Sequence, residues 1–257
     1  MTSFELPRAR PVTERPAPVD PPCWHHPEWS ERHPWLVQGC TGRGADDDFD
    51  LSPFGAAPAG AVVQRWAELR RALGVAASVH APQRHETGIR SHSETGGGLH
   101  LVEPCDGHLT RHPDVLLAVA TADCVAITLV APRERAVAVL HAGWRGVAGG
   151  MARAGVGAMR DRLGVQAHDL EAHLGPAICG ACYEVGPEVH EALGLEVPPR
   201  NTPVDLRRVL VRDLVAEGLR PAAVTASTWC TRCGGSPFFS HRAGHAGRQM
   251  TFAAVRR

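Results

Sequence analysis

The amino-acid sequence predicts a mixed α/β fold: a single domain in which a mixed sheet is flanked by helices. Two observations lead to this prediction. Apolar segments typical of strands alternate with amphipathic segments typical of helices from residue 35 onward, and no internal repeat or linker-like composition interrupts them. A chain of 257 residues is also long enough to bury the core of one large domain. We therefore assign residues 35–257 to one domain.

Residues 1–34 differ in composition from the rest of the chain. They are rich in proline, arginine and histidine and have no periodic apolar pattern. Such a composition is typical of segments without a packed core of their own. We predict an extended or disordered N-terminal arm.

Three segments predict helices. Residues 61–74 carry apolar side chains at helical spacing and end at Gly74. Residues 149–164 end in the same way at Gly164, and residues 204–219 place leucines on one face and arginines on the other. Strands are predicted over residues 78–89 (running into a loop), 98–109, 115–124 and 170–179, and in the C-terminal segments AAVTASTWC and SPFFSHRA.

Charge and composition exclude several classes of partner. The formal net charge is zero and the isoelectric point is about 7.3, which does not suggest a nucleic-acid or membrane surface. No apolar run approaches the roughly 20 residues that a membrane span needs, and the N-terminus lacks a signal-peptide pattern. Eight cysteines in a chain of this length do not indicate a secreted disulfide framework. We predict a cytoplasmic protein, and the sequence indicates no particular oligomeric state.

Residues 121–146, TADCVAITLVAPRERAVAVLHAGWRG, place a metal-binding type of residue at the outer end of each of two apolar runs. If these runs form a hairpin with Pro132 and Arg133 at its tip, Cys124 lies opposite His141. Cβ atoms of such neighbours are about 4.5–5.5 Å apart, close enough to share a metal ion. A four-residue loop would shift the register by two and leave both side chains on the same face.

A catalytic zinc usually has three protein ligands and one open position. The third candidate ligand is His85, in the loop PQRHE. The alternative is purely structural: Cys124 would be a small buried side chain and His141 a hydrogen-bonded core histidine.

Two Cys-x-x-Cys pairs form a second candidate metal site. They are CGAC, with Cys179 and Cys182, and CTRC, with Cys230 and Cys233. Four thiolates can hold a structural zinc. Disulfides within or between the pairs, or unlinked thiols, are the alternatives.

Several blocks of the sequence resemble those of a known family. TADCVAITL followed by AVLHAGWRG is similar to the signature of the multicopper polyphenol oxidoreductase family, also called the laccase-domain or YfiH-like family. CDGHLT, HLGPAICGACYEVGPEV and FFSHRAGHAGRQ match further blocks in the right order. The resemblance covers about residues 36–255. It accounts for Cys182 and Cys230 but not obviously for Cys179 and Cys233.

The resemblance implies a zinc site and an activity. Family members bind zinc through two histidines and a cysteine, which correspond by motif to His85, Cys124 and His141. It implies phosphorolysis of adenosine and inosine together with deamination of adenosine. The alternatives are polyphenol oxidation, hydrolysis of peptidoglycan precursors, or a non-catalytic binding module stabilised by the metal. Copper is the less favoured cofactor, because a multicopper centre needs more convergent histidines than the motifs supply.

Further residues receive roles in this interpretation. Asp123 would orient His141 or move protons, unless it bonds only to backbone at the strand end. Arg43, Arg145 and Arg248 would clamp phosphate, with a surface salt bridge as the alternative, favoured for Arg248.

The purine base would stack on Trp144 or Phe239.

Two differences from the family's motifs leave the zinc ligands intact and concern substrate preference. Arg84 replaces the usual valine before His85, and His241 replaces the usual tyrosine of the block SHRA.

Overall fold

Two seven-stranded sheets pack face to face in the computed structural model, which describes residues 6–45, 49–55, 57–93 and 96–257. Helices cover the outer faces of both sheets. The predicted mixed α/β class is confirmed, but the strands form two large sheets rather than one. Residues 1–5 of the predicted arm lie outside the described ranges.

Parallel and antiparallel pairs occur in both sheets. The strands of the first sheet, in spatial order, are β1 (Arg10–Val12), β15 (Val224–Ser227), β12 (Glu171–Leu174), β10 (Val125–Ala131), β11 (Ala136–Ala142), β8 (Gly107–Thr110) and β6 (Ile89–Ser91). Those of the second sheet are β2 (Arg15–Pro16), β3 (Cys23–His25), β4 (Leu36–Thr41), β16 (Gln249–Val255), β9 (Val115–Thr121), β5 (Ala77–His80) and β7 (Gly98–Leu101). A small separate sheet pairs β13 (Glu184–Val185) with β14 (Thr202–Pro203).

The helices are α1 (Pro27–Arg32), α2 (Ala59–Leu73), α3 (Trp144–Ala148), α4 (Met151–Leu163), α5 (Pro187–Ala192) and α6 (Leu206–Ala216). Helices α3 to α6 cover the first sheet and α2 covers the second. None of the helices in the described ranges combines the length and apolar character that a membrane crossing requires.

The central strands are apolar at successive positions because both of their faces are buried. In β11, Val137 and Val139 pack into the layer between the two sheets. Ala138 and Leu140 point the opposite way and pack against the helices that cover the first sheet. Because successive side chains of a strand alternate between faces, Cys124 and His141 both belong to the layer between the sheets.

Hairpin β10–β11 has the register of a four-residue loop. Ala126 lies opposite His141, and Val125 lies opposite Ala142. The direct opposition of Cys124 and His141 was therefore wrong by two positions, and the four-residue alternative holds. The loop spans residues 132–135 instead of being centred on a two-residue tip.

Helix α2 is confirmed, and Gly74 ends it in the left-handed conformation, with φ 67°. The helix predicted over 149–164 is confirmed as α4: it begins after Gly150, whose φ of 86° separates it from α3, and Gly164 ends it in the left-handed conformation, with φ 74°. Helix α6 begins after Asp205, whose side chain accepts a hydrogen bond from the N–H of Arg207.

The strand predicted in SPFFSHRA is wrong. Phe238 and Phe239 are buried, but the N–H of Phe239 donates to the side chain of Gln249 rather than to a neighbouring strand. The last strand, β16, lies beyond this segment, and the sequence interpretation did not predict it. The apolar residues of SPFFSHRA are therefore buried in a segment that pairs with no strand.

The described part of the N-terminal segment, residues 6–34, belongs to the domain rather than to an arm. β1 pairs with β15 of the first sheet, and β3 pairs with β4 of the second. Trp29 of α1 is buried between the sheets, and the buried carboxylate of Glu14 bonds to His173 at 2.8 Å. These anchors are single side chains far apart in the segment, so they produce no periodic pattern.

Candidate metal centre

Three predicted ligands meet at one end of the layer between the sheets. The ligand atoms of His85, Cys124 and His141 all lie within 4.8 Å of one another. His85 lies in the loop after β5, Cys124 directly precedes β10, and His141 is in β11. Among the described residues no fourth histidine, cysteine or carboxylate joins this group. The set therefore has the composition of an open zinc site.

Asp106 organises two of the three ligands. His141 donates from Nδ1 to Oδ1 of Asp106 at 2.8 Å, which directs the other ring nitrogen toward the ligand group. The carboxylate also accepts the backbone N–H groups of residues 84 to 86 at 2.9–3.0 Å. These bonds stabilise the positive φ of His85, 61°, which is uncommon outside glycine. Sequence reasoning missed this role of Asp106, although the matching block CDGHLT contained it.

The carboxylate of Asp123 bonds to Thr231 and Arg242 rather than to His141. Oδ1 accepts from the hydroxyl of Thr231 at 2.5 Å, and Oδ2 accepts from the N–H of Arg242 at 2.7 Å. The orienting role predicted for Asp123 thus belongs to Asp106. Asp123 instead ties the C-terminal loops to the turn that carries Cys124.

Gly143, in the block HAGWRG, packs directly against the ligands. A Cβ atom at this position would lie 3.0 Å from Cys124 Sγ and 3.0 Å from Cδ2 of His85. That approach is closer than ordinary van der Waals contact, so a side chain here would push Cys124 or His85 aside by a few tenths of an ångström. The absence of a side chain at Gly143 leaves room for Cys124 and His85.

The electrostatics of the group favour the thiolate. Burial alone would raise the pKa of the Cys124 thiol, but hydrogen bonds and positive charge from His141 and His85 lower it to about 6. Burial likewise opposes protonation of His141, but its bonds to Asp106 and Cys124 raise its pKa to about 9. Cys124 is therefore a thiolate at neutral pH, the form that binds metal ions.

A cavity of about 400 Å³ adjoins the three ligands. Phe54, Thr121 and Arg248 also line it. The Phe54 side chain is 52% exposed, and its ring lies 5.8 Å from the ring of His80, another lining residue. The hydroxyl of Thr121 is buried and has no hydrogen-bond partner in the described part of the chain.

The three predicted phosphate-binding arginines are placed differently from one another. Arg248 lines the cavity, although it was the one for which a surface role was favoured. Arg43 lies 3.2 Å from His245 and does not line the cavity. Arg145 is exposed, with its guanidinium 4.4 Å from the ring centroid of Trp144.

Neither predicted stacking residue lines the cavity. Trp144 contacts Arg145, and Phe239 is only 1% exposed. Phe54 lines the cavity instead. It lies in an irregular segment before α2, where no motif or periodic pattern marks it.

The chain matches the model of the family described as multi-copper polyphenol oxidoreductase laccase over residues 39–256. It belongs to this laccase-type family. Adenosine deaminase RL5 from an unknown prokaryotic organism is 38% identical over 167 residues, which are 61% of this chain and 63% of the relative. Purine nucleoside phosphorylase YlmD from Geobacillus stearothermophilus is 36% identical over 181 residues, 64% of this chain and 66% of the relative. These alignments span less than two thirds of either relative's length.

Solved structures share the fold of this laccase-type chain over nearly its full length. The crystal structure of YlmD from Geobacillus stearothermophilus superposes with a TM-score of 0.85 at 27% identity and covers 96% of this chain and 99% of that one. The hypothetical protein YfiH from Bacillus licheniformis superposes with a TM-score of 0.83 at 26% identity, covering 93% and 97%. The predicted family is thus confirmed.

A second cluster of metal-binding side chains is present in this member of the family. The sulfur atoms of Cys179, Cys182, Cys230 and Cys233 all lie within 4.8 Å of one another. The four cysteines that sequence analysis paired by motif therefore meet in space. The two clusters are separate groups of residues.

Proposed function

We propose that this chain is a zinc-dependent enzyme that processes purine nucleosides, by phosphorolysis of adenosine and inosine and by deamination of adenosine. One observation carries the proposal: a three-ligand metal site adjoins a cavity that offers an aromatic ring and a guanidinium. The names of the relatives, an adenosine deaminase and a purine nucleoside phosphorylase, support the same class of substrate.

His85, Cys124 and His141 would hold the zinc ion. One thiolate and two imidazoles are a donor set that zinc accepts, and Asp106 already fixes the ring of His141 for ligation. When bound, zinc supplies Lewis acidity, polarising an oxygen atom and lowering the pKa of water. Three protein ligands leave a coordination position open, which favours catalysis over a purely structural role.

The cavity suits a nucleoside in size and chemistry. A volume of about 400 Å³ lies within the range of small-molecule sites. The exposed ring of Phe54 offers a face on which a purine can stack.

Arg248 would hold phosphate for phosphorolysis. A phosphate oxygen forms a bond to C1′ of the ribose as the bond from C1′ to N9 breaks, and the purine takes up a proton with the released electron pair. In deamination, a water oxygen bonds to C6 and the amino group leaves as ammonia. Only the first reaction needs an anion clamp, so Arg248 should matter for phosphorolysis more than for deamination.

The test is an incubation of zinc-loaded protein with adenosine, with and without phosphate. Adenine that forms only with phosphate, and is lost in Cys124→Ala, would support phosphorolysis at this site. Inosine would support deamination, and hypoxanthine would indicate phosphorolysis of inosine. Formation of none of these products above the background of Cys124→Ala would overturn the proposal, and polyphenols and peptidoglycan precursors would be the next substrates to test.

A further inference from the structure

The four-cysteine cluster joins two loops that are distant in the sequence. Cys179 and Cys182 follow β12, and Cys230 and Cys233 follow β15, the parallel neighbour of β12 in the first sheet. Residues Ala177 and Cys230 form a bridge between these loops, and the N–H of Thr231 donates to the carbonyl of Ala177. The cluster lies where two adjacent strands end, apart from the three ligands of the first site.

The first Cys-x-x-Cys segment is folded as a tight turn and the second as a bend. In the first, the N–H of Cys182 donates to the carbonyl of Cys179 at 3.0 Å, within a short 3₁₀ turn. In the second, the N–H of Arg232 approaches the sulfur of Cys230 at 3.4 Å. The N–H of Cys179, from the other loop, approaches the same sulfur at 3.3 Å. Two N–H groups directed at one sulfur stabilise a thiolate there.

The distances fit a shared ion better than two disulfides. Zinc–sulfur bonds of about 2.3 Å in a tetrahedron place neighbouring sulfurs about 3.8 Å apart. Here every sulfur lies within 4.8 Å of all three others, a condition that a pair of disulfides does not require. All eight cysteines of the chain are free thiols in the structure.

We propose that Cys179, Cys182, Cys230 and Cys233 bind a structural zinc ion that fastens these two loops together. Four protein ligands close the coordination sphere, so this ion has no position for a substrate. The guanidinium of Arg232, which donates to the carbonyl of Cys182 at 3.1 Å, lies in the cluster and offsets the negative charge of four thiolates.

The fastened loops support the turn that carries Cys124. Thr231, between the two cysteines of the second pair, donates to Asp123, and the N–H of Ile178, next to Cys179, donates to the carbonyl of Asp123 at 3.1 Å. Both loops thus hold the residue before the first-site thiolate. The structural ion acts on that site by positioning, and the proposal does not depend on which reaction the first site performs.

The experiment is a measurement of zinc per chain on full-length protein purified with reductant. We expect two equivalents in the wild type, one in Cys124→Ala, one in Cys179→Ser/Cys233→Ser and none in the triple variant. Cys23→Ala, in β3 and outside both clusters, should keep two. Cys233→His should also keep two, because histidine can replace one cysteine ligand and position 233 is exposed.

A thermal measurement keeps the test decisive if the double variant folds poorly. Cys233→Ser alone should lose the second zinc and lower the Tm by about 5 °C or more. Cys233→His should keep the second zinc and a Tm close to that of the wild type. One zinc in the wild type with none in Cys124→Ala would overturn the proposal. So would iron in the four-cysteine site, or a disulfide among these cysteines in unreduced protein by mass spectrometry.

Discussion

Among individual residues, the buried carboxylate of Asp106 has the largest role in positioning the first metal site. It bonds to the ring of His141 and to the backbone around His85, so it determines both the orientation of one ligand and the loop that carries another. The ligands themselves were predicted from the sequence, because their residue types and their places at strand ends are local features. The supporting carboxylate was not predicted, because only the folded chain shows which acidic residue reaches a histidine.

We expect Asp106→Asn to weaken zinc binding by about 10- to 100-fold, because a neutral amide replaces the acceptor of His141 and directs an NH₂ group toward backbone donors. Affinity is measured by competition with a chromophoric chelator. Asp114→Asn, which changes a carboxylate paired with Arg257 on the surface, is the matched control. Equal zinc affinity in both variants would show that Asp106 has no role in metal binding.

Thr121→Val should separate stability from substrate binding. The Thr121 hydroxyl has no hydrogen-bond partner among the described residues, so replacing it with a methyl group removes no internal bond. We expect a slightly higher Tm and an unchanged KM for adenosine, because the unpaired hydroxyl costs stability and is buried out of reach of a substrate. The measurements are thermal unfolding and initial rates. A lower Tm would mean that the hydroxyl has a partner in the folded protein, and a higher KM would mean that the substrate reaches it.

At the scale of elements, prediction from sequence succeeded where the signal was local. Helix α2 was recognised from its apolar spacing and from Gly74, and the four-residue alternative anticipated the register of the β10–β11 hairpin. The short helix α3 and the strand β16 were missed. Helix α3 has only five residues, too few to show an apolar period, and β16 became a central strand only through pairing with β4 and β9 on either side.

Close packing of α4 on β11 gives a prediction at this scale. A Cβ at Gly155 would lie 2.3 Å from Cδ1 of Leu140, and Leu140 is fully buried with Gly107 against its other methyl group. Leu140 therefore has no room to move, and we expect Gly155→Ala to lower the free energy of unfolding by about 1–3 kcal/mol. The measurement is urea denaturation.

Gly157→Ala in the same helix is the matched control. The nearest atom to a Cβ at Gly157 is 3.9 Å away, so only the gain in helix propensity remains, about 1 kcal/mol of stabilisation. Opposite signs for the two variants are expected. If Gly155→Ala is also stabilising, α4 lies farther from β11 than the structure shows.

At the scale of the whole molecule, the two sheets create a buried layer whose end is polar. The apolar side chains of β9, β10, β11 and β16 fill its centre. The three zinc ligands lie at one end, where the strands give way to loops, so the site combines rigid strands with accessible loops. The same burial that positions the site also holds several histidines away from water.

Stability should fall in mild acid because of those histidines. Burial lowers the pKa of His26 to about 2 and that of His80 to about 4, and it lowers the pKa of His108 well below its usual value. In the unfolded chain these residues take up protons below a pH of about 6.5. Between that pH and the lower folded pKa values the unfolded state binds more protons, so the free energy of unfolding decreases as the pH falls.

The expected slope is about 1.4 kcal/mol per pH unit for each histidine below a pH of about 6, with no contribution from them above a pH of about 7. Urea denaturation between pH 7.5 and 5 measures it, in the Cys124→Ala/Cys179→Ser/Cys233→Ser background so that acid release of neither zinc contributes. Glutamine does not titrate, so the slope of His80→Gln should be shallower by the contribution of one histidine, about 1.4 kcal/mol per pH unit. A free energy of unfolding that is constant over this range, or that rises in acid, would mean that these side chains gain protons in the folded state, which requires water to reach the layers where they lie.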